Sequence, residues 1–133
     1  MTELGIGMVG FGFIGKVHAF AQRSLPLFYD PMPVPTRLVA VCTSRPESAE
    51  KARLQGGFAR ATTDPTTLLD DPSIGAIHVC TPNDAHAGLI RDALAAGKHV
   101  YCDKPLARTV AEAAELAALA DASDRVCRMT FNY

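Results

Sequence analysis

A chain of 133 residues, 48% hydrophobic and 20% charged, has material for one domain with a real core and not for two comfortable ones. A formal net charge of −1 gives no basic excess for nucleic acid or an anionic membrane. No apolar run approaches the ~18 residues of a membrane span, and Glu3 with no leading Lys or Arg does not read as a signal peptide. Cys42, Cys80, Cys102 and Cys127 are far apart, so they read as buried thiols in a reducing cytoplasm rather than as a metal site or disulfide framework.

The first element is a short apolar run, Gly5-Ile6-Gly7-Met8-Val9, followed by Gly10-Phe11-Gly12-Phe13-Ile14-Gly15 and a helix through Lys16–Ala21. Gly10, Gly12 and Gly15 form G-x-G-x-x-G at a strand-to-helix junction, where a dinucleotide needs it. Gly10 permits the tight turn, Gly12 leaves bare backbone for a pyrophosphate, and Gly15 lets the helix approach the strand. The phosphates would face the unpaired amides at the start of the helix.

Leu25–Thr36 holds four prolines, which predicts a connector with neither regular helix nor central strand. Leu38–Cys42 is a continuous apolar run, expected of a parallel strand buried on both faces. Ser44 and Glu47 have capping-box spacing and predict a helix to about Gln55, stopped by Gly56-Gly57. An NAD-preferring domain usually places an acid at the end of this second strand, and the sequence has Thr43, Ser44 and Arg45 instead. A hydroxyl and a guanidinium suit a 2′-phosphate, so NADP is predicted over NAD.

Phe58–Ala61 predicts a short edge strand, and Asp64-Pro65 the start of a short helix closed by Asp70-Asp71-Pro72. Ala76–Cys80 is the fourth strand, and Asn83 is expected to cap a helix that runs to Ala96 and stops at Gly97. Lys98–Cys102 is the fifth strand, followed by Asp103-Lys104-Pro105. Thr109 and Glu112 form a second capping box before an alanine-rich helix, and Arg125–Phe131 is the sixth strand. Six strands alternating with helices predict a doubly wound parallel sheet, order 3-2-1-4-5-6. Right-handed crossovers then gather the glycine turn, Ser44-Arg45, Thr81-Pro82-Asn83 and Asp103-Lys104-Pro105 at the carboxyl edge.

Taken together, Gly10–Gly15, Thr81-Pro82-Asn83 with His86, Ala95–Val100 and Asp103-Lys104-Pro105-Leu106-Ala107 resemble the nucleotide-binding half of the Gfo/Idh/MocA oxidoreductases. The resemblance covers essentially the whole chain. It implies reversible hydride transfer between NADP or NAD and a carbon bearing a hydroxyl, usually on a sugar or cyclitol. In the family the segment matching Asp103-Lys104-Pro105 reads Glu-Lys-Pro, with the acid near the nicotinamide ribose, the lysine catalytic and the proline commonly cis. Asp103 keeps the charge and shortens the reach. Lys104 is therefore the expected catalytic residue, able to stabilise a developing alkoxide.

The expected cofactor set is Gly10, Phe11, Gly12, Phe13, Ile14, Gly15, Thr43, Ser44, Arg45, Thr81, Pro82, Asn83, His86, Asp103, Lys104 and Asn132, with no metal. His18 reads as packing, and neither His78 nor His99 is assigned to chemistry. The family continues into a second α/β domain that carries most substrate contacts and usually the oligomer interface. Residues 1–133 are accordingly expected to be a dinucleotide-binding domain that stops before that domain, from a parent that is a homo-oligomer. Two other readings stay open: a glycosidase using transient oxidation by tightly held NAD, and a non-enzymatic NADP-binding regulatory module.

Overall fold

In the computed structural model, which describes residues 3–131, six strands form one all-parallel sheet in the order β3-β2-β1-β4-β5-β6. They are β1 Leu4–Val9, β2 Thr36–Cys42, β3 Arg60–Thr62, β4 Ala76–Val79, β5 His99–Cys102 and β6 Cys127–Met129. The helices between them are α1 Phe13–Phe28, α2 Pro46–Gly56, α3 Thr66–Leu69, α4 His86–Ala95 and α5 Val110–Ala122, with one 3-10 turn at Asn83–Ala85. The order expected from strand–helix alternation is the one found.

Alternation along the strands divides the core between the two faces. Ile77 and Val79 of β4 pack with Ala87, Ile90 and Leu116 beneath α4 and α5. Ile6, Met8 and Val41 pack with Ala19, Ala52 and Phe58 beneath α1 and α2. Strands buried on both faces need no polar alternation, which is why Leu38–Cys42 of β2 reads as a continuous apolar run.

Several local expectations fail for identifiable reasons. The proline-rich segment was expected to exclude helix, yet α1 continues to Phe28 with Pro26 inside it. Pro26 stands in the last turn, where its missing N–H forfeits a single bond to Gln22, and Tyr29 N still donates to Leu25 O at 3.1 Å. The Ser44–Glu47 capping box does not form: Pro46 opens α2, so Arg45 becomes the residue before the first turn, with no side-chain cap. Ser48 Oγ instead donates back to Arg45 O at 2.9 Å.

Asn83 does not cap its helix either. The chain turns on Pro82, whose carbonyl accepts from Ala85 N at 3.1 Å, and α4 begins only at His86. Asp64 does hold the start of α3, its Oδ1 accepting from Thr66 N at 2.9 Å. Thr109 Oγ1 accepts from Glu112 N at 3.1 Å as a capping box requires, while Glu112 reaches back one residue further, to Arg108 N.

Candidate functional site: a cavity at the carboxyl edge

The glycine turn is built by close approach. Gly10 has φ +91°, a conformation that disfavours any side chain, and a Cβ there would strike the carbonyl of Cys80. A Cβ on Gly15 would lie 2.5 Å from Gly10 O, so a bare residue is what lets α1 start against β1. Gly12 differs: a Cβ there would meet nothing within 4 Å. Its open side faces a cavity of about 730 Å³ beyond the carboxyl ends of β1, β2, β4 and β5.

Of the residues expected in the site, Gly10, Phe11, Gly12, Phe13, Ile14, Thr43, Ser44, Thr81, Pro82 and Asp103 line this cavity. Gly15 lies beneath the turn. Arg45, Asn83 and Lys104 are exposed beside the cavity without lining it, and none makes a side-chain hydrogen bond among the described residues. Asn132 lies outside the described residues. His86, expected to face the cofactor, is fully buried, and both its ring nitrogens meet backbone carbonyls. Thr63 and Pro65 also line the cavity; their place just past β3, at the same sheet edge, was the signal that could have found them.

Two polar groups on the wall are poised differently. Asp103 Oδ1 accepts from Thr130 Oγ1 at 3.0 Å, which ties the end of β5 to the end of β6, while Oδ2 has no partner among the described residues. Thr81 Oγ1 is buried and has no partner among the described residues, an unusual state for a hydroxyl in a folded protein. The thiols in the wall are inert: burial, reinforced by Asp103 and Cys102, pushes Cys80 up to about 12, and burial with Asp64 pushes Cys42 up to about 11. The Lys104–Pro105 peptide is cis.

Behind the cavity, on the α1 face of the sheet, lies a cluster the sequence left unassigned. His18 Nδ1 and His78 Nδ1 are 3.1 Å apart, and Tyr101 stacks on His18 with ring centroids 5.1 Å apart. Burial lowers His78 to about 3, helped by His18, and lowers His18 against the opposing pull of Asp103. His18 is thus a packing residue, as expected.

A glycine turn at φ +91°, an open Gly12 and an unpartnered hydroxyl around one cavity at the sheet's carboxyl edge fit a dinucleotide's pyrophosphate and ribose. Residues 4–131 match the Gfo/Idh/MocA family, described as an oxidoreductase family with an NAD-binding Rossmann fold. The chain belongs to this family. It is 38% identical to levoglucosan dehydrogenase of Pseudarthrobacter phenanthrenivorans, over 100% of this chain and 34% of that protein. It is 32% identical to myo-inositol 2-dehydrogenase of Thermotoga maritima, over 80% of this chain and 30% of that one. The solved structure of levoglucosan dehydrogenase with NADH and levoglucosan superposes with a TM-score of 0.96 at 36% identity, over 99% of this chain and 36% of that chain. The chain therefore spans about a third of the length of these relatives. Among the described residues no helix is long and apolar enough to cross a membrane.

Proposed function

We propose that this domain binds NADP(H) in preference to NAD(H) and forms the cofactor half of an enzyme that oxidises a hydroxyl, or reduces a carbonyl, on a cyclic sugar or polyol. The observation that carries the reading is the open side of Gly12, facing a cavity whose other walls are Thr81, Pro82 and Asp103. In this reading the backbone of Gly10–Gly15 holds the pyrophosphate, Thr81 Oγ1 finds its missing partner, and Asp103 Oδ2 accepts from a ribose hydroxyl. Thr130 orients that carboxylate by donating to its other oxygen. Ser44 and Arg45 take the 2′-phosphate, since the end of β2 offers no carboxylate to repel it.

When bound, the nicotinamide supplies the two-electron acceptor or donor. Lys104, one residue beyond Asp103, carries the cation that steadies a developing alkoxide and exchanges a proton at Nζ. Asn83, at the turn before α4, lies on the same side of the edge and completes the polar rim. The names of the relatives, levoglucosan and inositol dehydrogenases, support a polyhydroxylated ring as substrate. Substrate contacts and assembly into a homo-oligomer are assigned to a second domain acting with this one. The alternative is NAD preference, favoured by the NADH complexes of levoglucosan dehydrogenase.

Titrating the chain with NADPH and NADH, by nicotinamide fluorescence and by calorimetry, separates these readings. Tighter NADPH binding is the expected result. Tighter NADH binding would keep the family and overturn the role given to Ser44 and Arg45, and binding of neither would remove the cavity from the proposal.

A further inference from the structure

The residues that carry Lys104 are held to the rest of the fold by few hydrogen bonds, with Leu106 and Ala107 packed against the core. Asp103 N donates to Val79 O at 3.0 Å, and Arg108 N donates to Glu112. Between them, among the described residues, Lys104, Pro105, Leu106 and Ala107 make one hydrogen bond, accepted by Pro105 O from the ring of His86. That ring belongs to the first residue of α4 and is 0% exposed. Its Nδ1 lies 2.7 Å from Pro105 O, and its Nε2 lies 2.9 Å from Thr81 O. His86 thus spans two loops that flank the cavity, the one after β4 and the one after β5.

Both partners are carbonyl oxygens, which can only accept. Each ring nitrogen thus faces an acceptor, and in either tautomer the ring donates to one of the two loops while contacting the other. Cys102 Sγ lies 3.4 Å from Nδ1 and 3.1 Å from Asp103 O, to which its thiol can donate. Burial, followed by Asp103, pushes the Cys102 thiol up to about 12, which keeps it neutral beside the ring.

We infer that His86 is a positioning residue: its ring ties Thr81 O to Pro105 O and holds the Asp103-Lys104-Pro105 turn against the cofactor cavity. The role of Lys104 in this inference rests on the function proposed above; the tie itself does not. His86 acts through the loops it joins and touches neither cofactor nor reacting atoms.

Long-range ¹H–¹⁵N spectra of the ¹⁵N-labelled chain, with His86 assigned by its loss in His86→Gln, test whether the ring is held in place. Ring nitrogens at distinct, unaveraged shifts are expected, and shifts averaged by tautomer exchange would overturn the inference. His86→Gln keeps a donor for only one of the two carbonyls. In this variant the backbone order parameters at Lys104, Leu106 and Ala107 are expected to fall from the rigid range of ~0.85 toward ~0.6, with those of β1 and β2 unchanged. Unchanged values at all three, or an equal fall throughout the sheet, would refute the tie. If His86→Gln does not fold, assignment through the neighbouring Ala87 resonances lets the wild-type spectrum decide alone. Both readouts are made without cofactor, so failure to bind a dinucleotide and failure of the tie are separate results.

Discussion

At the amino-terminal edge of the sheet, Lys98 is buried, and its Nζ donates to Asp71 O and Ile74 O, each at 2.8 Å. Asp71 beside it accepts from Ser73 N and Oγ and pairs with Arg60, and those bonds, the Ser73 hydroxyl first, lower its carboxyl to about 2. At the carboxyl edge, Ser44, Arg45, Asn83 and Lys104 stay exposed with no side-chain hydrogen bond among the described residues, and Thr81 Oγ1 is buried without a partner. One end of the sheet consumes its polar groups in holding the fold, and the other keeps them available. That asymmetry is what a binding edge requires, because a group already satisfied within the protein has little to gain from a ligand.

The comparison breaks most sharply at Gly12. A Cβ there meets nothing, so Gly12→Val should leave the urea midpoint of unfolding unchanged while filling the space assigned to the pyrophosphate. Cofactor affinity should fall at least 100-fold, about 2.7 kcal/mol, measured by calorimetry. Undiminished binding would mean that the dinucleotide does not cross Gly12.

Much of this contrast was legible in the residues, and its limits have physical causes. Strand order followed from alternation and handed crossovers, and the glycine turn from its spacing together with its place between the first strand and the first helix. Asp64 and Thr109 announced helix starts because their partners lie two or three residues away. His86 and Lys98 could not be assigned in the same way. The partners of His86 lie five and nineteen residues off, and those of Lys98 lie further still, so each role exists only after the strands are assembled. Pro26 misled because a proline's cost depends on where in the helix it falls, which composition does not reveal.

At the opposite edge, Lys98→Met should destabilise the domain by about 2 kcal/mol, since it leaves the carbonyl of Ile74 without its donor and takes one of two donors from Asp71 O. Urea unfolding measures this directly. Dinucleotide affinity, extrapolated to the fully folded fraction, should not change. A loss of affinity without a loss of stability would reverse the roles given to the two edges.

Arg45→Ala sharpens the division within the carboxyl edge itself. The side chain is exposed and unpaired among the described residues, so stability should hold. NADPH binding should weaken about tenfold, about 1.4 kcal/mol, with NADH within about twofold. Equal losses for both dinucleotides would assign Arg45 a structural part and leave Ser44 and Thr43 as the candidates for selecting the cofactor.

The smallest expected effect comes from between the edges, where His78 is buried against His18 and Tyr101. Its folded-state value of about 3 lies below the ordinary 6.5, because burial penalises the charged ring and His18 adds to the penalty. Unfolding therefore takes up a proton between those values. The contribution is fully present above about pH 6.5 and is lost as pH falls toward 3. Between pH 6.5 and 5.5 one such group removes about 1 kcal/mol of stability. His78→Leu should flatten the pH dependence of the urea midpoint by that amount, while its absolute stability at pH 8 reports only the change in packing. A slope equal to that of the wild type would show that His78 already titrates normally in the fold, and that the cluster behind the cavity is open to water rather than sealed beneath α1.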